Sequence, residues 1–100
     1  MTYLNPYKDD LTRLCAQNKV KSLYAFGSVL TDRFRPESDI DMVVDIDSEN
    51  PLEYGDCYFN LKFALEDLFC RPIDLLENKA IRNKYLRREI DNTKELVYAN

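Results

Sequence analysis

The chain has 100 residues, with 18 acidic and 14 basic side chains, no histidine, and a net charge of −4 at pH 7. A protein that binds a nucleic-acid backbone needs a basic surface, so this balance argues against a nucleic-acid partner. No apolar run is long enough for a signal sequence or a membrane span, and the three cysteines lack paired spacing. We therefore expect one small domain over residues 1–100, in a cytoplasmic protein with reduced thiols and no membrane partner.

The N-terminal half is predicted to form a helix followed by two strands. Apolar residues recur at helical spacing over residues 4–15, which predicts an amphipathic helix. Short apolar runs predict strands at about residues 22–26 and 39–46. The short connection between these two strands favours an antiparallel pair. The segment 31–38, which lies between these two strands, is the part of the chain that we expect to be mobile.

The C-terminal half is predicted to begin with a long helix over residues 51–69. Asn50 precedes it as a cap, Pro51 fits its first turn, and Glu53 is placed to complete a capping box. A strand, a basic helix and a short strand follow at about residues 72–76, 79–90 and 95–98. A strand–helix–strand unit usually forms a right-handed parallel crossover, so the second and third strands should be parallel.

This arrangement places three aspartates at one edge of the sheet. Asp39 and Asp41 lie at the start of the second strand, and Asp74 lies near the start of the third. Strand side chains alternate between faces, so the first two should point the same way, with Cα atoms about 6–7 Å apart. Carboxylates at that spacing repel one another unless a cation lies between them, and Mg²⁺ prefers oxygen ligands. The pattern therefore predicts a divalent metal site.

A glycine–serine pair is the candidate phosphate site. Gly27 and Ser28 follow the buried first strand and precede a short turn, where backbone N–H groups are free to meet phosphate oxygens. Glycine lets the backbone approach the ligand, and the serine hydroxyl adds a donor. Arg33 is the candidate contact to a triphosphate, with Arg35 as the alternative.

Together, the glycine–serine pair, the ten residues that follow it, the Asp39 and Asp41 pair and the later Asp74 resemble the minimal nucleotidyltransferases. These belong to the DNA polymerase β-like superfamily. The resemblance implies an α/β (α+β) fold, with a small mixed sheet flanked by helices. It also implies that the three aspartates are catalytic, that they bind Mg²⁺ (two ions, with Mn²⁺ as an alternative), and that ATP is the substrate.

The resemblance begins near Lys21 and runs to the C-terminus, with one departure. Family members often carry a small residue, an arginine and a glycine just after the glycine–serine pair. In this chain residues 29–33 read Val-Leu-Thr-Asp-Arg, so the arginine is displaced to Arg33. With histidine absent, a carboxylate is the expected general base, and Asp74 is the candidate.

Three functions remain open for such a chain. The first is transfer of a nucleoside monophosphate, AMP from ATP, to a hydroxyl acceptor. Because related minimal nucleotidyltransferases are often antitoxins paired with HEPN-type RNase toxins, the resemblance implies a tyrosine of such a helical partner as acceptor. The second is a non-catalytic antitoxin that occludes its partner by binding. The third is transfer to a small molecule such as an aminoglycoside, although those enzymes usually carry an extra domain.

The acidic residues also have two simpler interpretations. Asp39 and Asp41 alone could be solvent-facing carboxylates at a strand start, and Asp74 could be the same. A calcium-binding loop also uses an Asp-x-Asp pattern, but it needs a loop glycine and a later bidentate glutamate. The hydrophobic residues 42–44 favour a strand instead.

Overall fold

The computed structural model describes residues 3–100 and has a four-stranded mixed sheet at its centre. The strands are β1 (Val20–Phe26), β2 (Ile40–Ile46), β3 (Ile73–Glu77) and β4 (Glu95–Ala99). The α-helices are α1 (Lys8–Gln17), α2 (Pro51–Phe69) and α3 (Lys84–Thr93). Short 3₁₀ turns occupy Asn5–Tyr7, Gly27–Leu30 and Asn78–Ala80. The predicted α/β (α+β) class, with a small mixed sheet flanked by helices, is confirmed.

The order of the strands in the sheet is β3-β2-β1-β4. β1 is antiparallel to both β2 and β4, whereas β2 and β3 are parallel, as the crossover rule predicted. Within this register Asp41 of β2 lies beside Phe26 of β1 on one side and beside Asp74 of β3 on the other. The start of β2, the start of β3 and the end of β1 therefore meet at one edge, as predicted.

Helices cover both faces of the sheet. On one face the buried side chains of β2, including Ile40 and Met42, pack with Leu61 and Leu65 of α2 and with residues of α1. On the other face a smaller cluster joins Phe26 and Val43 to Ile90 of α3 together with their neighbours. Successive side chains along a strand therefore pack into two different hydrophobic clusters, one on each face, and the sheet is the middle of three layers.

The start of α2 follows the predicted cap, with one correction. The Asn50 side-chain oxygen accepts hydrogen bonds from the backbone N–H groups of Leu52 (2.9 Å) and Glu53 (3.2 Å). The predicted capping-box role of Glu53 is wrong. Its carboxylate instead accepts from the Ser48 hydroxyl (2.7 Å) and the Lys19 ammonium (2.8 Å), because those stronger donors lie within reach.

The basic helix starts later than its composition predicts. Residues Asn78–Ala80 form a 3₁₀ turn, Ile81 is extended, and α3 begins only at Lys84. The reason is Asn83, whose side-chain oxygen accepts from the backbone N–H groups two and three residues on (2.9 and 3.0 Å) and so caps a new helix. An asparagine at such a position favours the cap over continued helix.

Across residues 3–100, none of the helices has the length and apolar character that crossing a membrane requires.

Candidate active site

Asp41 is the centre of the candidate site. It is partly buried in β2, and its carboxylate lies so close to Gly27 that a Cβ atom there would collide with Asp41 Oδ2. Gly27 also has a φ of +78°, a backbone conformation that side chains with a Cβ rarely adopt. Glycine is therefore required at this position for two independent reasons, and the Gly27–Ser28 turn lies in contact with the Asp41 carboxylate.

Asp39 lies two residues before Asp41 in the chain, and Asp74 lies beside Asp41 in the sheet. Both are exposed, and Asp74 occupies the register position next to Asp41 on the parallel strand β3. The observed β2 starts at Ile40, within one residue of the start predicted at about residue 39, so Asp39 immediately precedes the strand.

The three carboxylates affect one another's charge. Burial raises the pKa of the Asp41 carboxyl above its ordinary value, and the negative charges of Asp74 and then Asp39 raise that pKa further. The ionised Asp41 carboxylate is therefore disfavoured, because it is partly shielded from water and lies near two other negative charges. A cation beside Asp41 would reverse this penalty.

The donor set fits a hard divalent cation. Among residues 3–100, no three or more Asp, Glu or Cys side chains are arranged as a ready-made metal shell. Mg²⁺, however, is usually held by one or two carboxylates together with substrate phosphates and water, and seldom by an all-protein cage. Oxygen donors of that kind are supplied by Asp39 and Asp41, together with Asp74 on the neighbouring strand β3.

The predicted phosphate residues line an open cleft of about 720 Å³. Gly27, Ser28 and Arg33 all border it, together with Leu30, Thr31, Glu89, Thr93 and Glu95. Its volume lies within the usual range for small-molecule sites. Arg35 is not among the residues that line this cleft, and its guanidinium donates to the Asp32 carbonyl (3.0 Å). The structure thus brings Arg33 to the cleft and gives Arg35 a local structural contact.

The far wall of this cleft was missed by sequence reasoning. It comes from Glu89 and Thr93 on the second half of α3 and from Glu95 at the start of β4. Acidic and hydroxyl side chains on a charged helix give no sequence signal of their own. Only the fold of α3 across the sheet brings them opposite Gly27.

A second open groove, of about 460 Å³, borders Asp74. Its walls come from β3, from the connection to α3, and from Tyr58 and Leu86. Burial raises the pKa of the Tyr58 hydroxyl, and the charges of Glu77 and Asp74 add to this effect. That hydroxyl donates to the Leu75 carbonyl (2.6 Å), so Tyr58 is a neutral donor rather than a base. Of the three aspartates, Asp74 lines this second groove, whereas Asp41 reaches the first cleft through its contact with Gly27.

This fold and this edge of three aspartates facing a glycine–serine turn define a nucleotidyltransferase. Residues 9–100 match the family described as Polymerase beta, Nucleotidyltransferase, and the chain belongs to that family. Two relatives come from Methanocaldococcus jannaschii. "Putative protein adenylyltransferase MJ1379" is 35% identical over 80 residues, which cover 80% of this chain and 77% of the relative. "Putative protein adenylyltransferase MJ0128" is 36% identical over 80 residues, which cover 80% and 76% of the two chains.

Solved structures share the fold. One described as a "putative minimal nucleotidyltransferase" superposes with a TM-score of 0.75 at 24% identity, covering 94% of this chain and 92% of the other. A toxin–antitoxin structure with AMP-PNP superposes with a TM-score of 0.69 at 21% identity, covering 97% and 75%. A tri-AMPylated Shewanella oneidensis HEPN toxin in complex with its MNT antitoxin gives 0.63 at 19% identity, covering 100% and 74%. The predicted membership of the polymerase β-like nucleotidyltransferases is confirmed, and these solved structures share the fold.

Proposed function

We propose that this chain transfers AMP from ATP to a hydroxyl group of a protein partner, and that it acts in this way as an antitoxin. The observation that carries the proposal is the position of Asp41. It touches Gly27, which lines one cleft, and pairs in register with Asp74, which lines the other. A nucleotide in the first cleft and an acceptor in the second would meet at the carboxylates.

The first cleft supplies the nucleotide contacts. The turn at Gly27 and Ser28 offers backbone N–H groups and a hydroxyl to phosphate oxygens, and Arg33 adds a positive charge at the cleft wall. Asp39 and Asp41 would hold a divalent cation against the phosphates, with Asp74 holding a second. When bound at these carboxylates, Mg²⁺, or Mn²⁺ as the alternative, would supply positive charge to offset the negative charge that develops during transfer.

The transfer step follows from this placement. An acceptor hydroxyl oxygen forms a bond to the α-phosphorus of ATP, and the bond between that phosphorus and the bridging oxygen to the β-phosphate breaks. Pyrophosphate leaves with the bonding electrons. The hydroxyl proton passes to Asp74, which is exposed on the acceptor side of the site. Positioning and charge neutralisation are the main requirements of phosphoryl transfer, so little more is needed from the protein.

The proposed partner is a helical HEPN-type toxin, with a tyrosine as acceptor. The names of the relatives and the complexes among the structural neighbours support it. A phenol also suits the second groove, whose walls include Leu75, Leu76, Ile81 and Leu86 around the Asp74 carboxylate. A nucleic-acid acceptor would need a basic surface that this acidic chain lacks.

Occlusion of the partner by binding alone is the second candidate, and one observation favours it. Leu52, Phe59 and Phe63 on α2 are more than half exposed, and the two phenylalanine rings stack with centroids 6.0 Å apart. Large exposed apolar side chains grouped on one helix face are typical of an interaction surface. Such a surface could hold a partner without any transfer.

Calorimetry with ATP tests the metal-assisted site. The carboxylates have no basic cluster beside them, so we expect ATP to bind with Mg²⁺ or Mn²⁺ and to lose most of its affinity when the cation is chelated. Equal affinity under both conditions would rule out a site in which a cation bridges carboxylates and phosphates.

The variant Asp74→Asn separates the roles of the carboxylates. A group that accepts the proton acts in the transition state, so its loss should lower kcat far more than nucleotide affinity. A variant that loses only nucleotide affinity would make Asp74 a binding residue and would remove it from the transfer step.

A further inference from the structure

Arg71 forms hydrogen bonds to the segment that immediately precedes Asp39. It lies between α2 and β3, three residues before Asp74. Its Nη1 donates to two backbone carbonyls across the site, those of Arg35 (3.0 Å) and Ser38 (2.9 Å). The Ser38 carbonyl belongs to the peptide bond that joins Ser38 to Asp39, so this contact sets the orientation of the peptide plane next to the first aspartate.

Aromatic rings hold the Arg71 guanidinium in place. Its central carbon lies 4.5 Å from the centroid of the Phe34 ring and 5.3 Å from that of Tyr3. The two rings themselves meet edge to face at 4.8 Å. An arginine held against aromatic faces loses little further freedom when it donates to a fixed acceptor, which lysine cannot reproduce.

The Arg71 guanidinium is also partly enclosed by the fold. Within residues 3–100, the Arg71 Nε is the one buried side-chain nitrogen or oxygen atom without a hydrogen-bond partner. The hydrogen bonds of this guanidinium are therefore those of Nη1 to the Arg35 and Ser38 carbonyls. The segment 31–38 also braces itself through the Ser38 N–H to Arg35 carbonyl bond (3.0 Å) and the Arg35 N–H to Ser38 hydroxyl bond (3.0 Å).

Asp39 needs such support because the sheet does not provide it. Asp41 is fixed by neighbours on both sides in the sheet, whereas Asp39 is exposed and lies just outside β2. We propose that Arg71 is a positioning residue, which holds Asp39 next to Asp41 so that both carboxylates can bind one divalent cation. This inference rests on the proposed function of the site.

Mn²⁺ binding, followed by electron paramagnetic resonance, tests the inference without any need for transfer. Arg71→Ala should weaken Mn²⁺ binding about tenfold or more, the usual effect of removing a group that orients a metal ligand. Arg71→Lys keeps the positive charge but loses the planar guanidinium that donates to both carbonyls. Its Mn²⁺ affinity should lie between that of Arg71→Ala and that of the wild type. The Mn²⁺ concentration for half-maximal transfer should shift in the same order, while saturating Mn²⁺ restores most of kcat.

Arg87→Ala is the matched control. Its guanidinium likewise ties down a connection, by donating to the side-chain oxygen (2.7 Å) and carbonyl (2.6 Å) of Asn78, but away from Asp39. It should lower the melting temperature as Arg71→Ala does and leave Mn²⁺ binding unchanged. Hydrogen exchange should show faster exchange of the amides at residues 38–40 in Arg71→Ala alone.

The outcomes separate the inference from the proposed function. If Arg71→Ala binds Mn²⁺ as the wild type does, or if Arg87→Ala loses Mn²⁺ affinity equally, the positioning role is wrong. A wild-type chain that binds no Mn²⁺, either alone or with a non-hydrolysable ATP analogue, also overturns it. A wild-type chain that binds Mn²⁺ but transfers nothing overturns the proposed function instead, and the Mn²⁺ comparison among the variants still decides the role of Arg71.

Discussion

The burial of Asp41 links stability to activity. The ionised carboxylate is unfavourable in the metal-free fold, because it is partly desolvated and lies near Asp74 and Asp39. The same negative charge is what the proposed cation requires. The empty protein is therefore less stable than it would be without this charge, which lies beside Gly27 and Asp74.

Measuring the unfolding free energy of the metal-free protein over a pH series tests this link between the Asp41 charge and stability. The folded-state pKa of Asp41 is raised above its unfolded value, so the folded state binds the proton more tightly. The unfolding free energy should therefore gain a contribution as pH falls through the raised pKa, a gain that is complete once the pH is below the unfolded value. Asp41→Asn should lack this contribution and should be more stable at neutral pH, by less than about 1 kcal/mol because the group is partly solvated. Equal pH profiles for the two proteins would contradict the account.

The two glycines of the chain provide a matched pair of substitutions. Gly27→Ala should cost about 1–3 kcal/mol of stability and abolish transfer, because the new Cβ meets Asp41 Oδ2 and the backbone has positive φ. Gly55→Ala, in the middle of α2 with open space around it, should instead stabilise the protein by about 0.5–1 kcal/mol and leave transfer intact. Thermal melts and transfer assays check both. An active Gly27→Ala variant would show that the turn and the carboxylate need not touch.

At the scale of elements, signals that lie within one segment were predictable. Asn50 and Pro51 mark the start of α2, and the length of the following apolar pattern gives its end. The parallel pairing of β2 and β3 followed from the crossover rule. The start of α3 was not predictable from its basic composition, because a cap formed by Asn83 competes with helix that would continue from Lys79.

Asn50→Ala tests an element far from the chemistry. The variant loses the side-chain acceptor for the N–H groups of Leu52 and Glu53, so the unfolding free energy should fall by about 1 kcal/mol. Transfer by the folded protein should not change, since α2 carries none of the residues assigned to the nucleotide. Denaturant titration and a transfer assay at a temperature well below the melt give the two numbers. A large loss of kcat would show that α2 positions the site.

At the scale of the whole molecule, the sequence predicted which residues gather at the site but not what surrounds them. The aspartates and the glycine–serine pair could be placed because strand direction and alternation follow simple rules. Two other features join segments that are distant in the chain. They are the cleft wall formed by Glu89 and Thr93, and the hydrogen bond from Arg71 to the Ser38 carbonyl. Contacts of that kind depend on packing angles and side-chain rotamers, which a single sequence does not reveal.

The exposed face of α2 gives a prediction about the partner. Phe59 and Phe63 are 54% and 58% exposed, and Asp56 and Asp67 lie one turn away along the helix. A partner with an apolar centre and basic rim would match this face. The double variant Phe59→Ser with Phe63→Ser should weaken partner binding at least about tenfold, whereas Leu96→Ser on β4, exposed to a similar extent, should not. Equal affinities in a binding assay would move the interface elsewhere.

Mass spectrometry of the copurified partner tests the central claim most directly. Three forms of the chain are each purified with the partner from the native host: the wild type, Asp41→Asn, and Asp45→Asn as the matched control on the same strand. Each complex is then incubated with ATP and Mg²⁺. The account predicts AMP on a partner tyrosine with the wild-type chain and with Asp45→Asn, and none with Asp41→Asn. A tight complex in which the partner is never modified, or AMP transfer that survives Asp41→Asn, would contradict it.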